Sequence, residues 1–157
     1  MNITNTNIHS ISDSPTTASG AGVECFCLRN GKVMITNSSF VAEGQNKSYA
    51  INYVSATGTM DITVEDSYLE AKAAYRAIGL VLNDITNIKN STIKAKVFGQ
   101  DQYNIAIGVD NNSKGILNIS NTSIFADAPG DSADEEISIG IDNKNIAHVN
   151  ECNIKAT

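Results

Sequence analysis

The stretch Ile35-Thr36-Asn37-Ser38-Ser39-Phe40-Val41-Ala42 states a pattern that occurs six times along the chain. In order it reads aliphatic, any residue, Asn or acid, Ser/Thr/Cys, any residue, hydrophobic, any residue, Ala or Ser. The other copies begin at Ile3, Val64, Ile88, Ile119 and Val149, so successive steps are 32, 29, 24, 31 and 30 residues. Self-similarity at such a period is the signature of a solenoid, in which each repeat buries its apolar face only against its neighbours. Within a copy, Ile35 and Asn37 alternate on one face. Phe40 and Ala42 share another after a shift of one residue, which marks two strands joined at a bend.

A second motif lies between copies of the first: Gly22-Val23-Glu24-Cys25, Ala50-Ile51-Asn52-Tyr53, Ala77-Ile78-Gly79-Leu80, Ala106-Ile107-Gly108-Val109 and Ser138-Ile139-Gly140-Ile141. It supplies a third strand to each repeat, with its Ile expected inward and its Ala and Gly outward. Identical motifs stacked in parallel about 4.8 Å apart would set each Ile on the Ile of the next repeat and close a continuous aliphatic column. The fold class that follows is all-β: a parallel β-helix of about five to six coils with three short sheets. Its hand is expected to be right, the hand of nearly all crossovers between parallel strands. The segment from Asp66 to Ala77, rich in Ala and Glu, has helical composition, but it contains a copy of the strand motif and is read as strand. Residues 1–157 form one domain on this reading. Both termini run into the motif, at Ile3 and Ala156, so the domain is expected to be a module of a longer or self-associating assembly.

The residue at the bend has a physical role of its own. A side-chain amide carries both donor and acceptor, so stacked Asn5, Asn37, Asn90 and Asn121 can bond to one another from coil to coil. Asp66 and Glu151 occupy the same place and interrupt that ladder, because an acid lacks the donor. With these features the chain resembles the right-handed parallel β-helix superfamily of pectate-lyase-like proteins, in which an Asn ladder commonly occupies one bend. The resemblance is architectural and extends over essentially the whole chain.

In that superfamily the enzymes generally place catalytic and sugar-binding groups on the sheet that the Ala-Ile-Gly-Val motif would build here. Its expected outward positions are small, with Glu24 and Asn52 as the polar exceptions, whereas polysaccharide cleavage wants paired carboxylates, cations for uronates or stacking aromatics. The strongest constellation is Asp110 and Asp142, each three residues past the motif Ile and expected to stack on adjacent coils. Two such carboxylates repel unless a cation, a shared proton or turn amides hold them, so they are the candidate catalytic or Ca²⁺-binding pair. The reading preferred over either is structural, both Asp residues making Asx turns as the chain leaves the strand. Tyr49, Tyr75 and Tyr103 precede the motif by similar offsets and are the candidate ligand-binding residues for a glycan. The acidic stretch from Asp127 to Glu136 reads as a solvated loop, lacking the ordered spacing of a calcium loop.

Composition sets the remaining bounds. With 157 residues, 41% hydrophobic and 18% charged, the chain suits a single folded unit. Eleven basic residues against 17 acidic give a net charge of −6, which disfavours nucleic acid as a partner. No apolar run reaches the roughly 18 residues of a membrane helix, and the start at Met1 lacks the form of a secretory signal. The expectation is a non-enzymatic scaffold or interaction module, adhesin-like, passenger-like or tail-fibre-like, placed at a cell surface, outside the cell or on a virion. It would act through self-association, a protein partner or a glycan, without a cofactor beyond Ca²⁺. The alternative is a carbohydrate-active β-helix, a lyase or hydrolase, or a noncatalytic glycan-binding module.

Overall fold

The computed structural model describes residues 1–12, 22–28, 30–53, 60–82, 84–99, 104–111, 115–128 and 137–157. Its elements are all strands. The first six are β1 (Asn2–Thr4), β2 (Asn7–Ser12), β3 (Gly22–Leu28), β4 (Gly31–Thr36), β5 (Ser39–Gly44) and β6 (Lys47–Tyr53). The middle of the stack holds β7 (Met60–Glu65), β8 (Tyr68–Ala73), β9 (Arg76–Leu82), β10 (Thr86–Lys89), β11 (Thr92–Val97) and β12 (Ile105–Asn111). It closes with β13 (Ile116–Ser120), β14 (Ser123–Asp127), β15 (Ile137–Asn143), β16 (Ile146–Asn150) and β17 (Asn153–Ala156). The segment of helical composition is strand β8 and the start of β9.

Every third strand joins the same sheet. Sheet 1 runs β1-β4-β7-β10-β13-β16, sheet 2 runs β2-β5-β8-β11-β14-β17 and sheet 3 runs β3-β6-β9-β12-β15. All pairings are parallel, and the architecture is that of a parallel β-helix. Four turns separate β3 from β15, fewer than the five to six coils expected, because motif copies count rungs and a turn is the step between two rungs.

The register is that of the repeat. Ile3, Ile35, Val64, Ile88, Ile119 and Val149 pair rung by rung in sheet 1. Ile8, Phe40, Leu69, Ile93, Ile124 and Ile154 do so in sheet 2. The interior residues of these two columns, with Ile51, Leu80 and Val109 of sheet 3, form the main core, against which Ile3 and Ile8 pack partly buried. A second cluster of small side chains, among them Ala71, Ala95 and Ala126 of sheet 2 and Ala77 and Ala106 of sheet 3, fills the corner where those sheets meet. Ser48 and Ser138 take the register positions of Ala77 and Ala106 on neighbouring rungs, so the corner is kept to small side chains.

Sheet 3 corrects the sequence alignment. Tyr49 pairs with Ile78 and Ile51 with Leu80, so Ser48-Tyr49-Ala50-Ile51 is the second copy of the motif, two residues earlier than expected. Glu24 pairs with Tyr49 and Phe26 with Ile51, which shifts the first copy by one. The faces are also reversed: Ala77 and Ala106 are fully buried, and a side chain at Gly108 would meet Ile124 and come 2.6 Å from the Gly140 carbonyl oxygen. The Ala and Gly positions therefore point inward. Ile107, expected in the core column, lies on the opposite face with Ile78 and Ile139 as register partners, although it is only 5% exposed.

Candidate functional site

The outer face of sheet 3 carries the chemistry that the sequence singles out. Val109 belongs to the core and Asp110 follows it, so the strand alternation turns Asp110 outward and Asn111 back in. Asp110 and Asp142 are register partners in neighbouring strands, which sets them one rung, about 4.8 Å, apart. Asp110 is buried and Asp142 half-buried. The rungs before them place Val81 at this position, and by register Asn52 and Cys27, in place of the Val54 and Phe26 expected from the sequence alignment.

Tyr49 joins the same face. Burial pushes its phenol above the ordinary tyrosine range; the Arg76 guanidinium opposes that shift, while the carboxylates of Glu24 and Asp110 add to it. Glu24, Tyr49, Arg76 and Asp110 thus lie within electrostatic reach of one another. The Asn52 amide donates to the Glu24 carboxylate. The Arg76 Nε is buried and has no hydrogen-bond partner among the described residues. Tyr75 is half-buried in the turn before β9, its N–H donating to the Asn46 carbonyl. Its rung equivalent in the preceding coil is Asn46, since Arg76 pairs with Lys47, so Tyr75 and Tyr49 form no common column. Tyr103 and the acidic residues from Asp131 to Glu136 lie outside the described residues. No group of three or more His, Cys, Asp or Glu side chains placed to hold a metal ion occurs among the described residues.

The ladder residues do more than stack amides. Asn5, Asn37, Asp66, Asn90, Asn121 and Glu151 all have φ between 46° and 52°, the left-handed region in which Asn and Asp are enriched over other residues with side chains. The Asn37 amide donates to the Asn5 carbonyl at 2.6 Å and the Asn121 amide to the Asn90 carbonyl at 2.8 Å. Beside this column runs one that sequence reasoning missed. The backbone N–H groups of Thr6, Ser38, Ser67 and Ser91 each donate to the hydroxyl of the next rung, at 3.1–3.3 Å. Each hydroxyl gives its own proton to the carbonyl two residues back. The Ser/Thr/Cys consensus at that position was the available signal. Two further amide pairs, Asn118 to Asn87 and Asn111 to Asn143, extend the theme; the repeated Asp-Asn at 110–111 and 142–143 foreshadowed the second.

Two depressions lie elsewhere. On the outer face of sheet 1 a shallow groove of about 680 Å³ is lined by Asn87, Lys89, Asn118, Ser120, His148 and Asn150. A second of about 330 Å³ lies toward the first rung, beside Lys32, Asp61 and Thr63. These polar side chains stand in axial columns, repeated at the rung spacing. No family model, no curated protein and no solved structure matches the chain.

Proposed function

We propose that this chain is a non-enzymatic β-helical scaffold, a stalk or interaction module of an adhesin-like, passenger-like or tail-fibre-like protein at a cell surface or on a virion. The observation that carries the reading is the use made of its polar side chains. Amides and hydroxyls bond to one another along the stack axis, and Lys32–Asp61 and Lys89–Glu65 pair across rungs at 3.3 Å. Side chains so engaged brace a rod. The groove on sheet 1 is then the surface offered to a partner, and the amides, hydroxyl and imidazole of Asn118, Ser120, His148 and Asn150 along it suit the hydroxyl groups of a glycan. A glycan array with the intact chain and with Asn118→Ala and His148→Ala tests this: binding that both substitutions weaken supports it.

The register pairing of Asp110 with Asp142, beside Tyr49 and Arg76, favours a second reading as a carbohydrate-active β-helix. The pair would supply acid and base, and Arg76 a cation for a uronate. The expected outcome is no cleavage of acidic polysaccharides by the intact chain or by Asp110→Asn. Cleavage abolished by that substitution would reverse the order of the two readings. A melting temperature raised by calcium only when both Asp residues are present would establish a metal site instead.

A further inference from the structure

The outer face of sheet 2 gathers cations and aromatic rings in the middle of the stack. Buried Ile93, Ala95 and Val97 fix the alternation of β11, so Lys94 and Lys96 point away from the core. The ladder runs one residue beyond β11, the Phe98 N–H donating to the Ala73 carbonyl at 2.9 Å. The same alternation carries Phe98 outward, where it is 45% exposed. On the following rung the half-buried Phe125 is the register partner of Lys94. On the preceding one Tyr68 holds the Lys94 ammonium 5.3 Å from its ring centroid. Two lysines thus stand among three aromatic side chains, with the outward hydroxyl residues Thr92 and Ser123 paired beside them.

The acids of this face are already engaged. Glu70 accepts from the Tyr68 hydroxyl and pairs with Lys72 at 3.3 Å, and Glu43 reaches the same ammonium at 4.0 Å. On sheet 1, Lys32 and Lys89 are likewise matched by Asp61 and Glu65. Lys94 and Lys96 differ: among the described residues neither has a carboxylate within 4.0 Å, although Glu70 and Asp127 are their register neighbours. In a chain of net charge −6, unmatched cations beside an exposed ring mark a surface complementary to a negatively charged partner.

We propose that the outer face of sheet 2 across β8, β11 and β14 binds an acidic glycan, a polymer whose sugars carry carboxylate or sulfate groups. Lys94 and Lys96 take the anionic groups in charge-assisted hydrogen bonds. Phe98 and Phe125 pack their rings against the apolar faces of the sugars, and Thr92 and Ser123 meet sugar hydroxyls. A single-stranded nucleic acid also stacks on rings, but it needs a basic groove that tracks its backbone, longer than two lysines in an acidic chain provide. This face is separate from the groove on sheet 1 and from the carboxylate pair on sheet 3, and it selects charge where the groove meets hydroxyls.

The test is affinity electrophoresis of the intact chain in polygalacturonate, heparin and neutral dextran at about 20 mM salt, where screening is weak. At least one acidic polymer is expected to retard the chain and dextran to leave it unaffected; polygalacturonate and heparin separate carboxylate from sulfate. Lys96→Ala and Phe98→Ala alter exposed side chains, and each should weaken binding roughly two- to tenfold, the loss of one ion contact or one packed ring. Lys32→Ala removes the same charge from sheet 1 and should leave binding unchanged, as should Asn118→Ala in the groove. Failure of the sheet 1 reading, seen as glycan binding indifferent to Asn118→Ala and His148→Ala, therefore leaves this surface standing. The proposal is overturned if neither acidic polymer binds, or if Lys32→Ala costs as much as Lys96→Ala. Binding unmoved by Phe98→Ala, or single-stranded DNA bound more tightly than either polymer, would equally overturn it.

Discussion

At each of the six bends one residue turns the chain through the left-handed region, with φ between 46° and 52°, and four of the six are Asn. Two demands meet at this position: a backbone conformation that Asn tolerates best, and a side chain able both to give and to accept along the stack. The sequence reveals the second demand through the repeated Asn. It does not reveal the first, because left-handed φ leaves no mark on composition beyond the preference it shares with amide stacking. Asp66 meets the conformational demand but not the donor one, standing between the Asn5–Asn37 and Asn90–Asn121 pairs. Asp66→Asn should therefore complete the column and raise stability by about 0.5–1 kcal/mol, the net worth of one exposed hydrogen bond. Urea unfolding checks it; an unchanged or lower midpoint would mean that the carboxylate already makes a contact worth as much as the amide link.

Among elements, sheets 1 and 2 were legible in full and sheet 3 only in part. In sheets 1 and 2 the aliphatic residues and the bend Asn recur together, so each copy fixes its own register. Sheet 3 lacks such an anchor: Gly79, Gly108 and Gly140 mark the later rungs, but register places Cys25 and Ala50 at the same point in the earlier ones. Matching Ala50-Ile51 to Ala77-Ile78 then slips the copy by two residues, which preserves strand alternation and so goes unnoticed in the pattern. The reversal of faces has a different cause. Small residues read as exposed when no large partner is visible in the sequence, yet here the partner is the backbone of sheet 2 and the Ile93, Ile124 and Ile154 side chains. A methyl group added at Gly108 meets Ile124 and the Gly140 carbonyl, both held in the sheet. Gly108→Ala should accordingly destabilise by about 1–3 kcal/mol through overpacking, measured by thermal or urea unfolding. No measurable loss would show that sheets 2 and 3 can separate freely.

For the whole molecule, a stack in which each rung touches only its neighbours need not open as one unit. Stability along the axis then follows how many neighbours each rung has. Strands β9 and β11 lie between two rungs, and their inward residues Leu80 and Ile93 are fully buried, whereas β16 and β17 are exposed at every position. Opening the last rung breaks one interface; opening a central one breaks two. Hydrogen exchange should therefore be graded, with the amides of Val149 and Ile154 less protected than those of Ile88 and Ile93 by about tenfold or more, a difference of roughly 1.4 kcal/mol in opening free energy. A profile flat from end to end at low concentration would instead make the stack a single cooperative unit, in which the end rungs borrow their stability from the centre.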